Sequence, residues 1–346
     1  MRIKEFLISG VCLALAVGVA RAQNPGVSAQ VDSAQRLRSI QSTLPGATNA
    51  VPEFYEGETS DIGPQSVLQV KRKRTWIEAF ADEQFFFTDN VFLANHNPQS
   101  ANVLISTVQA ALAPSPFQAG DGLLSPRIGY QQEWFSYGLA GSDSVRVYPS
   151  QKKINIDQFD FNAGTVFSDV AWRWQNWTFT VGGDYRRLLN SGDYSEFYHE
   201  FVPRWAVRRD FQLCDAFTLT VGYEGDYRFT ESAPPFFSNT VSSTKPLIYP
   251  DTFNDRTDQS LVLVGNWQFC PHMIVQPFYR LQYSHYTQIT RDDWLNSLGL
   301  TLYCPVTQQI SLRAFVGYDI LNTDGFYVQD FQKLDAGMGL NLTVSF

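Results

Sequence analysis

The last thirteen residues, Leu334 to Phe346, read LDAGMGLNLTVSF. Leu334, Ala336, Met338, Leu340, Leu342, Val344 and Phe346 hold every even position, and Asp335, Gly337, Gly339, Asn341, Thr343 and Ser345 hold the odd ones. Side chains of a strand point alternately to its two faces, so this stretch is a strand with one apolar face and one small or polar face. Such a strand needs different surroundings on its two sides. That demand constrains everything upstream, because every neighbouring strand must keep the same two-sidedness.

The rest of the chain from about Trp76 divides into strand-length runs: 76–92, 103–114, 125–137, 158–174, 177–189, 197–210, 217–230, 259–269, 274–287, 294–304, 309–320 and 333–346. Alternation is clear in 217–229, where Phe217, Leu219, Val221, Tyr223, Tyr227 and Phe229 oppose Thr218, Thr220, Glu224, Asp226 and Arg228. It is equally clear in 309–320, where Leu312, Ala314, Val316 and Tyr318 oppose Arg313 and Asp319. The first two runs alternate poorly. In 158–174 the apolar parity changes between Phe161 and Val166, which predicts a bulge. Each run reaches the roughly 9–11 residues with which a tilted strand crosses a bilayer, and no run approaches the ~18 apolar residues of a spanning helix.

The connections alternate in length. The gaps 93–102, 138–157, 190–196, 231–258, 288–293 and 321–332 are mostly long, and 115–124, 175–176, 211–216, 270–273 and 305–308 are mostly short. A weak repeat marks the short side: the stretches ending in Cys214, Cys270 and Cys304 each lead into a strand. Aromatic residues make up 15% of the chain although its mean hydropathy is only -0.20, as expected where apolar residues fill half of each strand. Trp177, Phe211, Phe217, Trp267, Phe269, Tyr303 and Phe346 fall near the short-turn rim, and Trp134, Tyr185, Tyr227, Phe229, Tyr283, Trp294 and Tyr318 near the other, which predicts two interfacial girdles.

The alternating final strand, its terminal Phe346 and the long-and-short loops resemble those of bacterial outer-membrane β-barrels. The resemblance covers about residue 76 to 346, and the barrel domain is bounded at 66–346. It implies an all-β fold: a transmembrane antiparallel up-and-down barrel of about 12 strands, with 10 or 14 as the bounds. It further implies that Leu340, Leu342, Val344 and Phe346 form a C-terminal assembly signal read by the barrel-assembly machinery. Outer-membrane lipids then surround the wall, the chain sits in a Gram-negative cell envelope, and both termini lie in the periplasm. The closing pair joins the strand near 76–91 to the final one.

The amino end carries an address. Arg2 and Lys4, the apolar Leu7–Val19 and the Ala20-Arg21-Ala22 site make residues 1–22 a signal peptide. Its loss takes the formal charge from -8 to about -10, since Arg2, Lys4 and Arg21 leave with Glu5; nucleic acid is not a partner for so acidic a chain. Residues 23–65 form a flexible periplasmic arm. Within it Val31, Ala34, Leu37 and Ile40 are spaced by three, so a short amphipathic helix or a plug is the second reading.

If the apolar parity faces lipid, the other faces the lumen. That side carries Arg127, Glu133, Asp184, Arg186, Glu200, Arg204, Arg208, Glu224, Asp226, Arg228, Arg280, Arg313 and Asp319. Charges there must be solvated or paired. The first expectation is a porin-like channel for passive transport of small hydrophilic, and by its arginines anionic, solutes. The rival is a structural or surface-binding barrel with a closed, salt-bridged lumen, using loop 231–258. A barrel-embedded hydrolase comes third: His96, His199, His272 and His285 fit no catalytic motif, so no enzyme and no catalytic residue is assigned. No cofactor or metal is expected, and the spacing of Asp251, Asp255 and Asp258 matches no calcium loop. Cys270 and Cys304 are a candidate disulfide between neighbouring turns. The oligomeric state and the role of the arm are left open.

Overall fold

A computed structural model describes residues 30–36, 76–138, 144–147, 152–232, 251–270, 272–307, 309–325 and 330–345. The signal-peptide assignment, most of the arm, the centre of loop 231–258 and Phe346 lie outside them. Twelve strands build the wall: β1 (Ile77–Thr88), β2 (Ala101–Leu112), β3 (Gly122–Tyr137), β4 (Phe161–Trp174), β5 (Trp177–Asn190), β6 (Glu196–Cys214), β7 (Phe217–Ser232), β8 (Arg256–Cys270), β9 (Met273–Tyr286), β10 (Asp292–Pro305), β11 (Ile310–Thr323) and β12 (Phe331–Ser345). Each pairs antiparallel with the next, and β12 returns to β1 in a continuous ladder from Glu78↔Ser345 to Thr88↔Asp335. The barrel is therefore closed, and no wall strand has a free edge. A three-residue strand, Phe117–Ala119, extends the start of β3, and a small hairpin joins Ser144–Val147 to Lys152–Asn155.

The chain is an antiparallel up-and-down barrel of twelve strands, the architecture of outer-membrane β-barrels. Its outward positions are the apolar parity. Leu312 and Val316 on β11 and Leu334, Met338, Leu340 and Leu342 on β12 are exposed, while Arg313, Asp319, Lys333 and Asp335 between them are buried inside. Connections 175–176, 215–216 and 271–272 are two residues long, whereas 138–160 and 233–255 are the longest, at the opposite end. The two ends are called the short-turn end and the long-loop end below.

Four expectations need correction. The register of β4 is unbroken on both sides, so no bulge lies there; register shifts occur instead at Phe217/Thr218, Leu188/Leu189 and Gln268/Cys270. The parity change in β4 arises because Phe161 and Phe167 face inward while Val166 and Val170 face outward. Tyr303 is not a girdle residue: it is buried on the lumenal parity of β10. Cys214, Cys270 and Cys304 are all free thiols. Cys270 ends β8 and Cys304 lies on β10, with β9 between them. Two strand spacings, roughly 10 Å, exceed the ~7 Å Cα separation that a disulfide allows. Finally, loop 231–258 is shorter at both ends, because β7 runs to Ser232 and β8 already begins at Arg256.

Candidate functional site

The lumen is lined differently on its two sides. On the β2–β6 side, near the long-loop end, the inward parity is apolar: Val103, Ile105, Phe135, Phe161, Ala163, Leu188 and Tyr198 form one buried cluster. This is why β2 alternates poorly in sequence. Its outer face meets lipid with Val108 and Leu112, and its inner face is apolar as well. What covers that inner face is the helix at residues 30–36, whose Val31 and Ala34 are buried in the same cluster. Three-residue spacing places both on one side of a helix. The 3-10 turn Ile156–Phe159 closes over the cluster from loop 138–160, with Ile156 buried and Phe159 edge-on to Phe92.

The opposite face of the helix is polar and meets charges. Asp32 sits among three guanidinium groups from three strands. Arg186 Nη1 on β5 and Arg228 Nη1 on β7 donate to its Oδ1 at 3.1 and 2.7 Å, and Arg256 Nη2 on β8 donates to Oδ2 at 3.1 Å. The wall supplies carboxylates to the same arginines: Glu200 lies 2.6 Å from Arg186, and Asp258 2.9 Å from Arg228 and 3.1 Å from Arg256. Asp226 adds a contact of 3.2 Å to Arg228. Around the helix, Arg36 pairs with Asp319 at 3.5 Å, and Lys333 bridges Asp319 and Asp335 at 3.6 and 2.8 Å. Gln35 accepts a hydrogen bond from Arg186. The helix thus lies between an apolar half-wall and an ionic one, and its own two-faced sequence matches both.

Further toward the short-turn end the charges pair across the wall. Arg127 meets Asp169 at 2.9 Å, Arg204 meets Asp184 at 3.0 Å, and Glu224 accepts from Arg208 and Arg280 at 2.7 and 2.9 Å. Arg313 donates to Asp82 and Gln84, each at 2.8 Å. Glu133 is fully buried and accepts from Gln131 Nε2 at 2.8 Å. All the charged residues assigned to the lumen from sequence point inward. What differs is their electrostatics: every arginine among them faces a carboxylate, so the wall does not present a run of bare positive charge.

Sequence reasoning missed Asp32, Arg36, Asp82, Arg256, Asp258, Lys333 and Asp335 as lumenal groups. Arg256 and Asp258 adjoin a long loop, and the inward parity after them turns apolar at Val262 and Val264, so their charges read as part of the loop. Asp32 had no legible signal, because its partners lie 154 to 224 positions away. Loop carboxylates once weighed for calcium have other partners: Asp255 accepts from the Thr230 amide and hydroxyl at 2.6 and 3.0 Å. His199 and His285 lie on the outer parity, with Nδ1 against Glu196 and Asp292, each at 2.7 Å.

No family model matches the chain, and no curated protein matches it. Among solved structures, an outer membrane channel from Pseudomonas putida F1 is 10% identical, with a TM-score of 0.46 over 83% of this chain and 100% of that one. The beta domain of a Bordetella autotransporter is 13% identical, with a TM-score of 0.44 over 79% of this chain and 100% of that one. The KdgM porin is 10% identical, with a TM-score of 0.37 over 76% of this chain and 98% of that one.

Proposed function

We propose that this chain is a bacterial outer-membrane channel whose lumen is closed at its long-loop end by the helix at residues 30–36, and which passes small hydrophilic solutes when that helix is displaced. The carrying observation is the clasp on Asp32. Three strands spend guanidinium donors on a carboxylate that belongs to no strand. A wall that needed only its own charges balanced has Glu200, Asp226 and Asp258 for that purpose. The helix is held by buried ion pairs, and loss of one partner leaves the other charge buried and uncompensated, which destabilises the clasp. Because the lumenal arginines are matched by carboxylates, the reading favours small polar solutes in general over a strong preference for anions.

The test is planar-bilayer conductance of refolded protein. The intact chain is expected to conduct little, and a chain lacking residues 23–36 to conduct steadily. No current from the shortened chain, with heat-modifiable gel migration showing a folded barrel, would reject the channel. That result favours the second reading, a closed structural barrel, for which the near-complete pairing of lumenal charge is the specific observation.

A further inference from the structure

We propose that the cavity between the closing seam of the barrel and the helix at residues 30–36 is a binding site for a single water molecule, held by Thr88 of β1 and Asp335 of β12 and joining the seam to the helix. The cavity has a volume of about 20 Å³. The site concerns only the seam and the helix lying on it, and stands whether or not the barrel conducts.

Strand register builds the site. Thr88 ends β1 and stands directly across the seam from Asp335. Directly opposed residues on neighbouring strands carry their side chains on the same face, with Cβ atoms about 4.5–5.5 Å apart. Both side chains here face the lumen and are buried, Thr88 at 2% and Asp335 at 7% exposure. Yet Thr88 Oγ1 and Asp335 Oδ1 have no hydrogen-bond partner in the protein, not even each other. Both residues line the cavity, so two buried and unspent oxygens meet in one small space. Leaving such atoms unpaired is costly, and a polar guest removes the cost for both at once.

The other polar groups around the cavity are already engaged or complete the guest's shell. Gln84 accepts from Arg313 at 2.8 Å, and Gln30 donates to the Val91 carbonyl at 2.7 Å. Lys333 Nζ lies 2.8 Å from Asp335 Oδ2 and donates to Ser33 Oγ of the helix at 3.5 Å, and both residues line the same space. The water accepts from the Thr88 hydroxyl and donates to Asp335 Oδ1, with Ser33 or Lys333 as its third partner. About three hydrogen bonds are what a buried water makes. The rest of the lining, Ala34, Phe86, Val103 and Ile105, is apolar, so the guest is drawn to the seam and to Ser33.

Size and charge select water over other ligands. The volume exceeds the roughly 10–15 Å³ that one water needs and leaves no room for an organic solute. The surrounding charges are balanced: Lys333 pairs with Asp335 and Asp319, and Arg36 pairs with Asp319. Two carboxylates against two cations leave nothing for a counter-ion to neutralise. Sodium or ammonium would bring an uncompensated buried charge, and chloride would meet the Asp335 carboxylate. The helix is then held on two sides by different means. The guanidinium groups around Asp32 grip it from the ionic half-wall, and the water and Lys333 join Ser33 to the seam.

Crystals of the full-length barrel that diffract well enough to show ordered water, soaked in rubidium chloride, test the proposal. One peak at about 2.5–3.0 Å from both Thr88 Oγ1 and Asp335 Oδ1, without anomalous signal, is the expected result. Anomalous scattering from rubidium at that point overturns water in favour of a cation. A direct Thr88–Asp335 hydrogen bond with no peak beside it overturns the site. Thr88→Ser should keep the peak and Thr88→Val should lose it; a peak unmoved in Thr88→Val overturns the role of Thr88. In solution, the urea midpoint of the unaltered barrel in lipid vesicles is expected to be the same in sodium, potassium and rubidium chloride at one ionic strength. A cation-specific shift that Thr88→Val abolishes would overturn the neutral ligand.

Discussion

Arg228 Nη1 donates to Asp32 Oδ1 at 2.7 Å, joining a wall strand to a helix residue 196 positions earlier in the chain. The same arginine also reaches Asp226 and Asp258. Its charge is therefore shared between holding the wall and holding the helix, and the two jobs can be separated by mutation.

Asp32→Asn and Arg228→Gln are each expected to raise the open fraction in bilayer recordings, because each removes a charged half of the clasp. Residues in one ion-pair network couple by about 0.5–3 kcal/mol, so the double variant should open less than the two single effects combined. Strict additivity would show that Arg228 acts on the wall alone.

Glu83 lies on the outer parity near the middle of β1, between the buried Asp82 and Gln84, and its carboxylate accepts from Ser106 at 2.7 Å. An acidic group in the lipid band is costly, though less so than a basic one. Glu83→Leu is expected to stabilise the barrel by about 1–2 kcal/mol, read as a higher urea midpoint after refolding into lipid vesicles. A lower midpoint would mean that something other than lipid covers this face.

Gly337 stands across the closing seam from Phe86, and a methyl group there would run into the Phe85 carbonyl and the Phe86 side chain. Gly337→Ala is expected to cost about 1–3 kcal/mol and to leave more chain in the heat-unmodified, unfolded band. Gly317→Ala, where a methyl group meets open space, is the matched control and should fold normally.

Asp160 anchors loop 138–160 by accepting from the Tyr137 amide at 2.7 Å. Burial pushes its carboxyl up to about 6; the Tyr137 hydrogen bond opposes this, and the nearby Asp157 charge adds to it. The folded state thus keeps a proton that the unfolded chain gives up near 3.8. This contribution to stability is present at low pH and is lost as pH rises through about 6. Hydrogen exchange of residues 156–160 should quicken between pH 5 and 7.5 beyond its intrinsic pH dependence, and Asp160→Asn should abolish that excess.

The wall could be read from the chain because strand pairing repeats a local rule. The two faces of residues 334–345, and of β7 and β11, are written in every second residue, and the apolar parity needs only lipid to satisfy it. Closure of β12 on β1 followed from the same logic, although Phe85, Phe86 and Phe87 blur the alternation on one side of the seam. The start of β8 was hidden because Arg256 and Asp258 are charged and adjoin a long loop, and charge near a loop reads as solvent.

The sequence by itself determined that this chain closes into a two-sided wall, since the period of its apolar residues is a property of neighbours. Only the tertiary structure decided what fills that wall. Asp32, Arg186, Arg228 and Arg256 are far apart in the chain and carry no shared pattern; closing the barrel is what brings the three arginines around one point. The poor alternation of β2 has the same cause. Its inner face is apolar because Val31 and Ala34 join the same buried cluster as Val103 and Ile105, and packing between segments so far apart leaves no periodic trace in either.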